Sequence, residues 1–175
     1  MKNQSLYLFF CLFIFGCGGG GGGSSMPEQV IVDNDNSYQG ETCTDTNRIG
    51  MKKCDLKHDN IDRFYYLYTP NNLDSNESIP VLFAFHGYGS SAMRHLNYTN
   101  YFSLADSNNF IVVYPQGSTT ATLSSHWNVG GWTSKSTTKD IDFVDTVIDL
   151  LKDKIPIDEL RIYSSGMSNG GYMGY

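Results

Sequence analysis

A five-residue run near the end of the sequence has the narrowest structural meaning: Gly166-Met167-Ser168-Asn169-Gly170. An apolar, strand-like segment, Leu160 to Tyr163, comes shortly before it. In a G-x-S-x-G turn from strand to helix, the serine backbone is strained and the flanking positions lack a Cβ so that strand and helix can approach. The turn lifts the Ser168 hydroxyl above the sheet edge, at a helix N-terminus that favours developing negative charge. Ser168 is therefore the predicted nucleophile; the alternative is a glycine-rich turn in which Ser168 only caps a helix.

Segments upstream of this turn predict the layers around it. Two uninterrupted apolar runs, Val81 to Phe85 and Phe110 to Tyr114, are typical of strands buried on both faces of a parallel sheet. Residues 90–109 fit a helix only in patches, whereas Asp140 to Ile155 is a clear amphipathic helix. Its apolar stripe consists of Ile141, Val144, Val147, Ile148, Leu151 and Ile155. This alternation predicts an α/β fold, a three-layer sandwich with a mostly parallel central sheet.

The region before the first buried strand is expected to be tied down by a disulfide. Cys43 and Cys54 enclose a short loop, and in an exported protein such a pair favours a bridge over a metal site, because no second Cys or His pair completes a ligand set. Closing this loop is expected to contribute about 3 kcal/mol. The aromatic segment Asp62 to Thr69 predicts an antiparallel strand near an edge of the sheet.

The N-terminal region has the composition of an export signal. Residues 1–16 combine Lys2 with the uncharged apolar run Leu6 to Phe15, which is too short to cross a bilayer as a helix. The junction before Cys17 resembles a bacterial lipobox, which implies lipidation of Cys17, and residues 17–41 are predicted to form a flexible linker. We expect an outer-membrane lipoprotein attached only through this lipid, or an extracellular protein cleaved without lipidation.

The remaining residues, 42–175, provide enough material for one domain. The formal net charge of the chain is −6, and its Lys and Arg residues form no visible cluster. Phosphate binding needs such clusters, so we expect no nucleic-acid partner.

A serine nucleophile also needs donors for the oxyanion that forms on attack. The backbone N–H of Asn169 comes directly after the serine. A second donor is predicted at Tyr88, because Gly87 allows the turn after the first buried strand to come close to a substrate carbonyl. The alternative for His86-Gly87 is an ordinary turn at a strand end.

A long loop, Gln116 to Lys139, separates the second buried strand from the clear helix. A loop of this length within a compact domain is typically functional or mobile. Trp127 and Trp132 lie in it and are candidate substrate-binding residues, with the alternative that at least one belongs to the core.

Five motifs occur in a fixed order: V-L-F-A-F-H-G-Y-G, F-I-V-V-Y-P-Q-G, W-N-V-G-G, D-I-D-F-V-D and R-I-Y-S-S-G-M-S-N-G-G. From Arg63 onwards the chain resembles the secreted esterase group of the α/β-hydrolase superfamily that contains polyhydroxybutyrate depolymerases and feruloyl and acetylxylan esterases. The resemblance implies an α/β-hydrolase fold, ester substrates, a Ser-Asp-His triad and no metal or cofactor. Ser168 and the backbone N–H groups of Tyr88 and Asn169 correspond to its pattern. Trp132 stands where many members have a cysteine pair.

The four histidines, at positions 58, 86, 95 and 126, all precede Ser168. In this fold the triad acid and histidine follow the serine. We therefore expect the chain to be the N-terminal part of a catalytic domain, truncated at its C-terminus and inactive as a separate piece. The alternative is that an upstream histidine acts as the base.

These features predict a serine esterase that hydrolyses carboxylic esters, with polysaccharide-linked feruloyl or acetyl esters as the first expectation. The alternatives are a polyhydroxyalkanoate depolymerase, a serine peptidase of the prolyl-oligopeptidase kind, and a non-catalytic lipoprotein that binds polysaccharide through its tryptophans.

Overall fold

The computed structural model describes residues 38–175. The predicted signal segment, Cys17 and most of the predicted linker lie outside these residues. The strands are β1 (Tyr38–Asp45), β2 (Met51–His58), β3 (Ile61–Tyr68), β4 (Ile79–Phe85), β5 (Ile111–Pro115) and β6 (Ile157–Gly166). The helices are α1 (Ala92–Thr99), α2 (Phe102–Asn108), α3 (Asp140–Lys152) and α4 (Asn169–Met173), with a single 3-10 turn at Gly131–Thr133.

The six strands form one mixed sheet in the order β1-β2-β3-β5-β4-β6. The first three strands are an antiparallel meander, and β3 joins β5 in antiparallel register. The strands β5, β4 and β6 are parallel, so their carboxyl ends share one edge of the sheet. This arrangement confirms the predicted α/β fold, and it places the turn after β4 beside the turn after β6.

The hairpin of β1 and β2 is the main difference from the expected order of elements. Residues 38–41 belong to β1, so the predicted linker extends too far into the domain. Because the hairpin adds two strands beyond β3, the prediction that the aromatic strand lies near an edge is wrong. A disulfide joins Cys43 to Cys54, which stand opposite each other on the two strands of the hairpin.

Both faces of the sheet are packed against helices. On one face α3 covers a core that includes Phe83, Phe85, Trp127 and Phe143. On the other face α1 and α2 cover Ala84, Val112 and Tyr114. Asn100 and Asn109 end these two helices in the left-handed conformation, which explains why residues 90–109 fit a single helix poorly.

The buried face of α3 differs from the predicted stripe. Phe143, Val147, Leu150 and Leu151 are buried, whereas Ile141 is 58% exposed. Asp140 is also buried, so the first turn of this helix faces the protein interior at that residue. No helix among residues 38–175 combines the length and apolar character that crossing a membrane would need.

Candidate active site

Ser168 occupies the strained turn that its motif predicts. It lies between the end of β6 and the start of α4, with φ 53° and ψ −117°. A Cβ on Gly166 would overlap the main chain at Gly170, and a Cβ on Gly170 would overlap the carbonyl oxygen of Phe85. Both glycines are therefore required by the close approach of helix, strand and neighbouring turn.

The Ser168 side chain is available for chemistry. The residue is exposed, and its hydroxyl has no hydrogen-bond partner among residues 38–175. The Met167 N–H donates to the carbonyl of Phe85 at 3.2 Å, which ties the turn to the end of β4. The position of the hydroxyl is thus set by the backbone of the turn and not by a hydrogen bond to the hydroxyl.

The turn after β4 lies directly against Ser168. A Cβ built on Gly87 would stand 3.2 Å from the Met167 carbonyl oxygen and 3.8 Å from the Ser168 Cβ. The backbone N–H groups of Tyr88 and Asn169 donate to no acceptor within the described part of the chain. The turn that carries Tyr88 therefore lies against the serine turn, and the N–H groups of Tyr88 and Asn169 are unused within residues 38–175. Their role as oxyanion donors stays a prediction.

The His86 side chain stabilises this turn through hydrogen bonds. It is fully buried, and its Nδ1–H donates to the Gly87 carbonyl at 2.8 Å. Its Nε2 accepts from the Gly117 N–H at 2.9 Å, which assigns a neutral ring with the proton on Nδ1. Burial lowers the pKa of His86, which also favours the neutral form. His86 is therefore a structural residue of the turn.

Trp127 does not have the predicted substrate-binding role. It is fully buried, so no ligand can stack on it, and its ring packs edge-on against Phe85 with centroids 5.2 Å apart.

Trp132 is 54% exposed and contacts Tyr88, itself 43% exposed, at a centroid distance of 4.9 Å. The Tyr88 hydroxyl accepts from the Ser124 N–H at 3.3 Å. Trp132 and Tyr88 thus form an exposed aromatic pair next to the Gly87 turn, and the role of Trp132 stays a prediction.

A buried ion pair anchors the long loop. The Asp140 carboxylate accepts from Arg63 Nη2 at 2.7 Å, and both side chains are almost completely buried. It also accepts from the Asn128 N–H at 2.7 Å and from the Thr138 hydroxyl at 2.8 Å. Sequence reasoning missed this role because an Asp in the first turn of a helix is typical of an exposed residue that interacts with the helix dipole.

None of the other histidines forms a hydrogen bond with Ser168. His58 packs against Phe143, His95 packs between aromatic rings, and the Nδ1 of His126 bonds to the Ser124 carbonyl. No histidine within residues 38–175 is therefore placed as its hydrogen-bonded base. The one group of three potential metal ligands found in this range is Glu41, Cys43 and Cys54, and the disulfide uses both of its sulfurs.

Sequence comparisons match the chain to a peptidase family and to esterases. The model of the prolyl oligopeptidase family matches residues 96–175. The chain is 37% identical over 113 residues to a bifunctional acetylxylan esterase/xylanase from Neocallimastix patriciarum, a match that covers 65% of this chain and 15% of the relative. It is 34% identical over 110 residues to feruloyl esterase B from Thermothelomyces thermophilus, covering 62% of this chain and 36% of the relative. The chain thus spans less than half the length of the curated relatives that it matches.

Solved structures share the fold. An S-formylglutathione hydrolase from Agrobacterium tumefaciens superposes with a TM-score of 0.57 at 14% identity, covering 76% of this chain and 54% of that one. A thermostable esterase superposes with a TM-score of 0.54 at 19% identity, covering 70% and 36%. Together with the strained serine turn, these matches show that the described residues have an α/β-hydrolase fold.

Proposed function

We propose that the whole protein is a carboxylic ester hydrolase in which Ser168 is the nucleophile. The observation that carries this proposal is the exposed Ser168 in a strained turn, with the Gly87 turn packed beside it. The sequence relatives named acetylxylan esterase and feruloyl esterase support ester substrates.

The proposed reaction begins with attack of the Ser168 Oγ on the ester carbonyl. The carbonyl oxygen becomes an oxyanion that accepts from the N–H groups of Tyr88 and Asn169, and the alcohol leaves as the acyl-enzyme forms. Water then attacks the acyl-enzyme and releases the acid. Loss of one such donor typically lowers kcat by about 10² to 10³.

The base that takes the serine proton is proposed to come from another part of the whole protein. Each of the four histidines of this chain lies within the described residues, and none bonds to Ser168. A carboxylate that orients this base would also come from elsewhere, because the buried Asp140 is occupied by Arg63 and the loop.

For the substrate we propose polysaccharide-linked esters, with a hydroxycinnamoyl group such as feruloyl as the first choice. The exposed pair of Tyr88 and Trp132 supports this choice, since it offers aromatic faces next to the oxyanion turn. A peptidase is the second candidate, because the prolyl oligopeptidase family model matches residues 96–175. Parallel assays with methyl ferulate, methyl acetate and a prolyl-peptide substrate distinguish these functions.

The direct test is labelling of the full-length gene product with a fluorophosphonate probe. We expect one labelled serine, Ser168, and no labelling after Ser168→Ala. Ser165→Ala is the matched control, because Ser165 lies three residues earlier and its hydroxyl bonds to Tyr101 at 2.9 Å. Labelling that persists in Ser168→Ala, or no reaction in the wild type, would contradict the proposal.

We also propose that the protein is exported and held at a membrane by a lipid on Cys17, as the N-terminal sequence predicts. Metabolic labelling with a fatty-acid analogue tests this proposal. Label is expected in the wild type and absent in Cys17→Ser, and equal labelling of the two proteins would refute it.

A further inference from the structure

The two predicted oxyanion donors come from distant parts of the chain, and hydrogen bonds connect Trp127 to both parts. On one side, the Asn169 side chain forms two hydrogen bonds with the Trp127 main chain. Its Oδ1 accepts from the Trp127 N–H at 2.7 Å, and its Nδ2 donates to the Trp127 carbonyl at 3.1 Å. The residue that supplies one oxyanion donor is thus fixed to Trp127 by two hydrogen bonds.

On the other side, Trp127 reaches the second donor through its indole. The Nε1–H donates to the His86 carbonyl at 2.9 Å. The His86 ring then donates to the Gly87 carbonyl at 2.8 Å. In a planar trans peptide the N–H points opposite to the carbonyl, so fixing the Gly87 carbonyl also fixes the direction of the Tyr88 N–H.

Burial makes these bonds effective. Trp127, Asn169 and His86 are all fully buried, so water cannot replace a broken bond in the network. The direct ties between the two turns are main-chain contacts, such as the Met167 N–H to the Phe85 carbonyl. Trp127 adds a side-chain link that spans both turns.

We propose that Trp127 is a positioning residue that sets the separation between the oxyanion donors of Tyr88 and Asn169. This inference rests on the proposed function, because the donors matter only if an oxyanion forms. A small displacement of either donor weakens stabilisation of the transition state more than binding of the substrate. Loss of the link therefore lowers kcat and leaves KM nearly unchanged.

The first test measures the link itself and needs no reaction. In isotope-labelled full-length protein, the indole N–H resonance that disappears in Trp132→Phe assigns Trp132, and the one that disappears in Trp127→Phe assigns Trp127. We expect slow hydrogen exchange for Trp127 and fast exchange for the exposed Trp132. Asn169→Ala is expected to speed exchange of the Trp127 indole at least tenfold. Val147→Ala is the control, because it truncates a buried side chain of α3 that forms none of the hydrogen bonds in this link.

The second test measures what the link does. In Asn169→Ala and Trp127→Phe, kcat for an ester should fall about a hundredfold, comparable to loss of one donor, with KM within about twofold. The inhibition constant of a boronic acid that forms a tetrahedral adduct should rise in parallel with the loss of kcat. Val147→Ala should change none of these values, and Asn169→Ala alone decides the test if Trp127→Phe does not fold.

The outcomes separate the two proposals. Unchanged protection of the Trp127 indole in Asn169→Ala overturns the inference, as does a rise in KM at constant kcat. An equal loss of kcat in Val147→Ala also overturns it, because the effect would then reflect general destabilisation. Absence of ester hydrolysis and of Ser168 labelling in the wild type refutes the proposed function, and indole exchange still decides whether the link exists.

Discussion

The serine turn and the long loop before α3 are held in place in two different ways. The turn depends on two glycines four positions apart, Gly166 and Gly170, which allow main-chain contacts that any side chain would block. The loop depends on buried polar bonds between residues far apart in the chain, including Arg63 to Asp140 and Asn169 to Trp127. Steric demands leave a local signature in the sequence, whereas long-range hydrogen bonds do not.

The largest effect is expected where the steric constraint is tightest. Gly170→Ala places a Cβ against the carbonyl oxygens of Phe85 and His86, which are backbone atoms that cannot move aside. We expect a loss of at least about 5 kcal/mol in the free energy of unfolding, or no folded protein. Urea denaturation of the full-length protein measures this loss.

Gly171→Ala is the matched control in the same helix. A Cβ there would lie 3.4 Å from the nearest atom, the Gly166 carbonyl oxygen, which is ordinary contact. We expect a change within about 0.5 kcal/mol. Equal stability of the two variants would show that the turn is not limited by sterics.

The next largest effect is expected at the ion pair that anchors the loop. Asp140→Ala leaves the buried Arg63 guanidinium without its partner and removes the acceptor for Asn128 and Thr138. We expect a loss of about 3 to 5 kcal/mol in the free energy of unfolding. Asp142→Ala is the control, because this carboxylate lies in the same first helical turn but is exposed. A loss as small as that of the control would contradict the role assigned to Asp140.

Buried histidines give a third expected effect, a dependence of stability on pH. Burial lowers the pKa of His58, His86 and His95 from the ordinary value of 6.5. Between pH 6.5 and the lower folded-state pKa, the unfolded chain binds more protons than the folded one. Stability is therefore fully present above pH 6.5 and falls as the pH drops below it.

His95→Leu tests the contribution of one histidine to this pH dependence. Neither ring nitrogen of His95 has a hydrogen-bond partner among residues 38–175, so the substitution breaks no side-chain hydrogen bond. The variant should lose less stability than the wild type between pH 7.5 and pH 5.5, measured by urea denaturation. The same pH dependence in both proteins would rule out a contribution from His95.

The smallest expected effect concerns the exposed aromatic pair. Trp132→Ala removes one face of the pair without opening the core, because Trp132 is half exposed. If a hydroxycinnamoyl group binds there, KM for methyl ferulate should rise about fivefold, or roughly 1 kcal/mol, and KM for methyl acetate should stay constant. Steady-state kinetics with both esters checks this, and an equal rise for both would argue against aromatic recognition.

Local patterns in the sequence were sufficient to predict β4, β5, α3 and the turn that carries Ser168. The β1–β2 hairpin was missed because its strands are polar at the edge of the sheet, and their identity depends on pairing with β3. Trp127 was misassigned for a related reason. Trp127 packs against Phe85 in the core and bonds to Asn169, 42 positions away, and a tryptophan in a loop has no local pattern that separates core from binding surface.

A crystal structure of the full-length protein after reaction with a fluorophosphonate would show whether Ser168 and the two N–H groups act together. We expect phosphorus bonded to the Ser168 Oγ, with one phosphoryl oxygen about 2.7 to 3.1 Å from the N–H nitrogens of both Tyr88 and Asn169. Trp127 should remain buried between the two donors in that complex. A phosphoryl oxygen directed away from these two amides, or an adduct on another serine, would refute the proposed roles of Ser168, Tyr88 and Asn169.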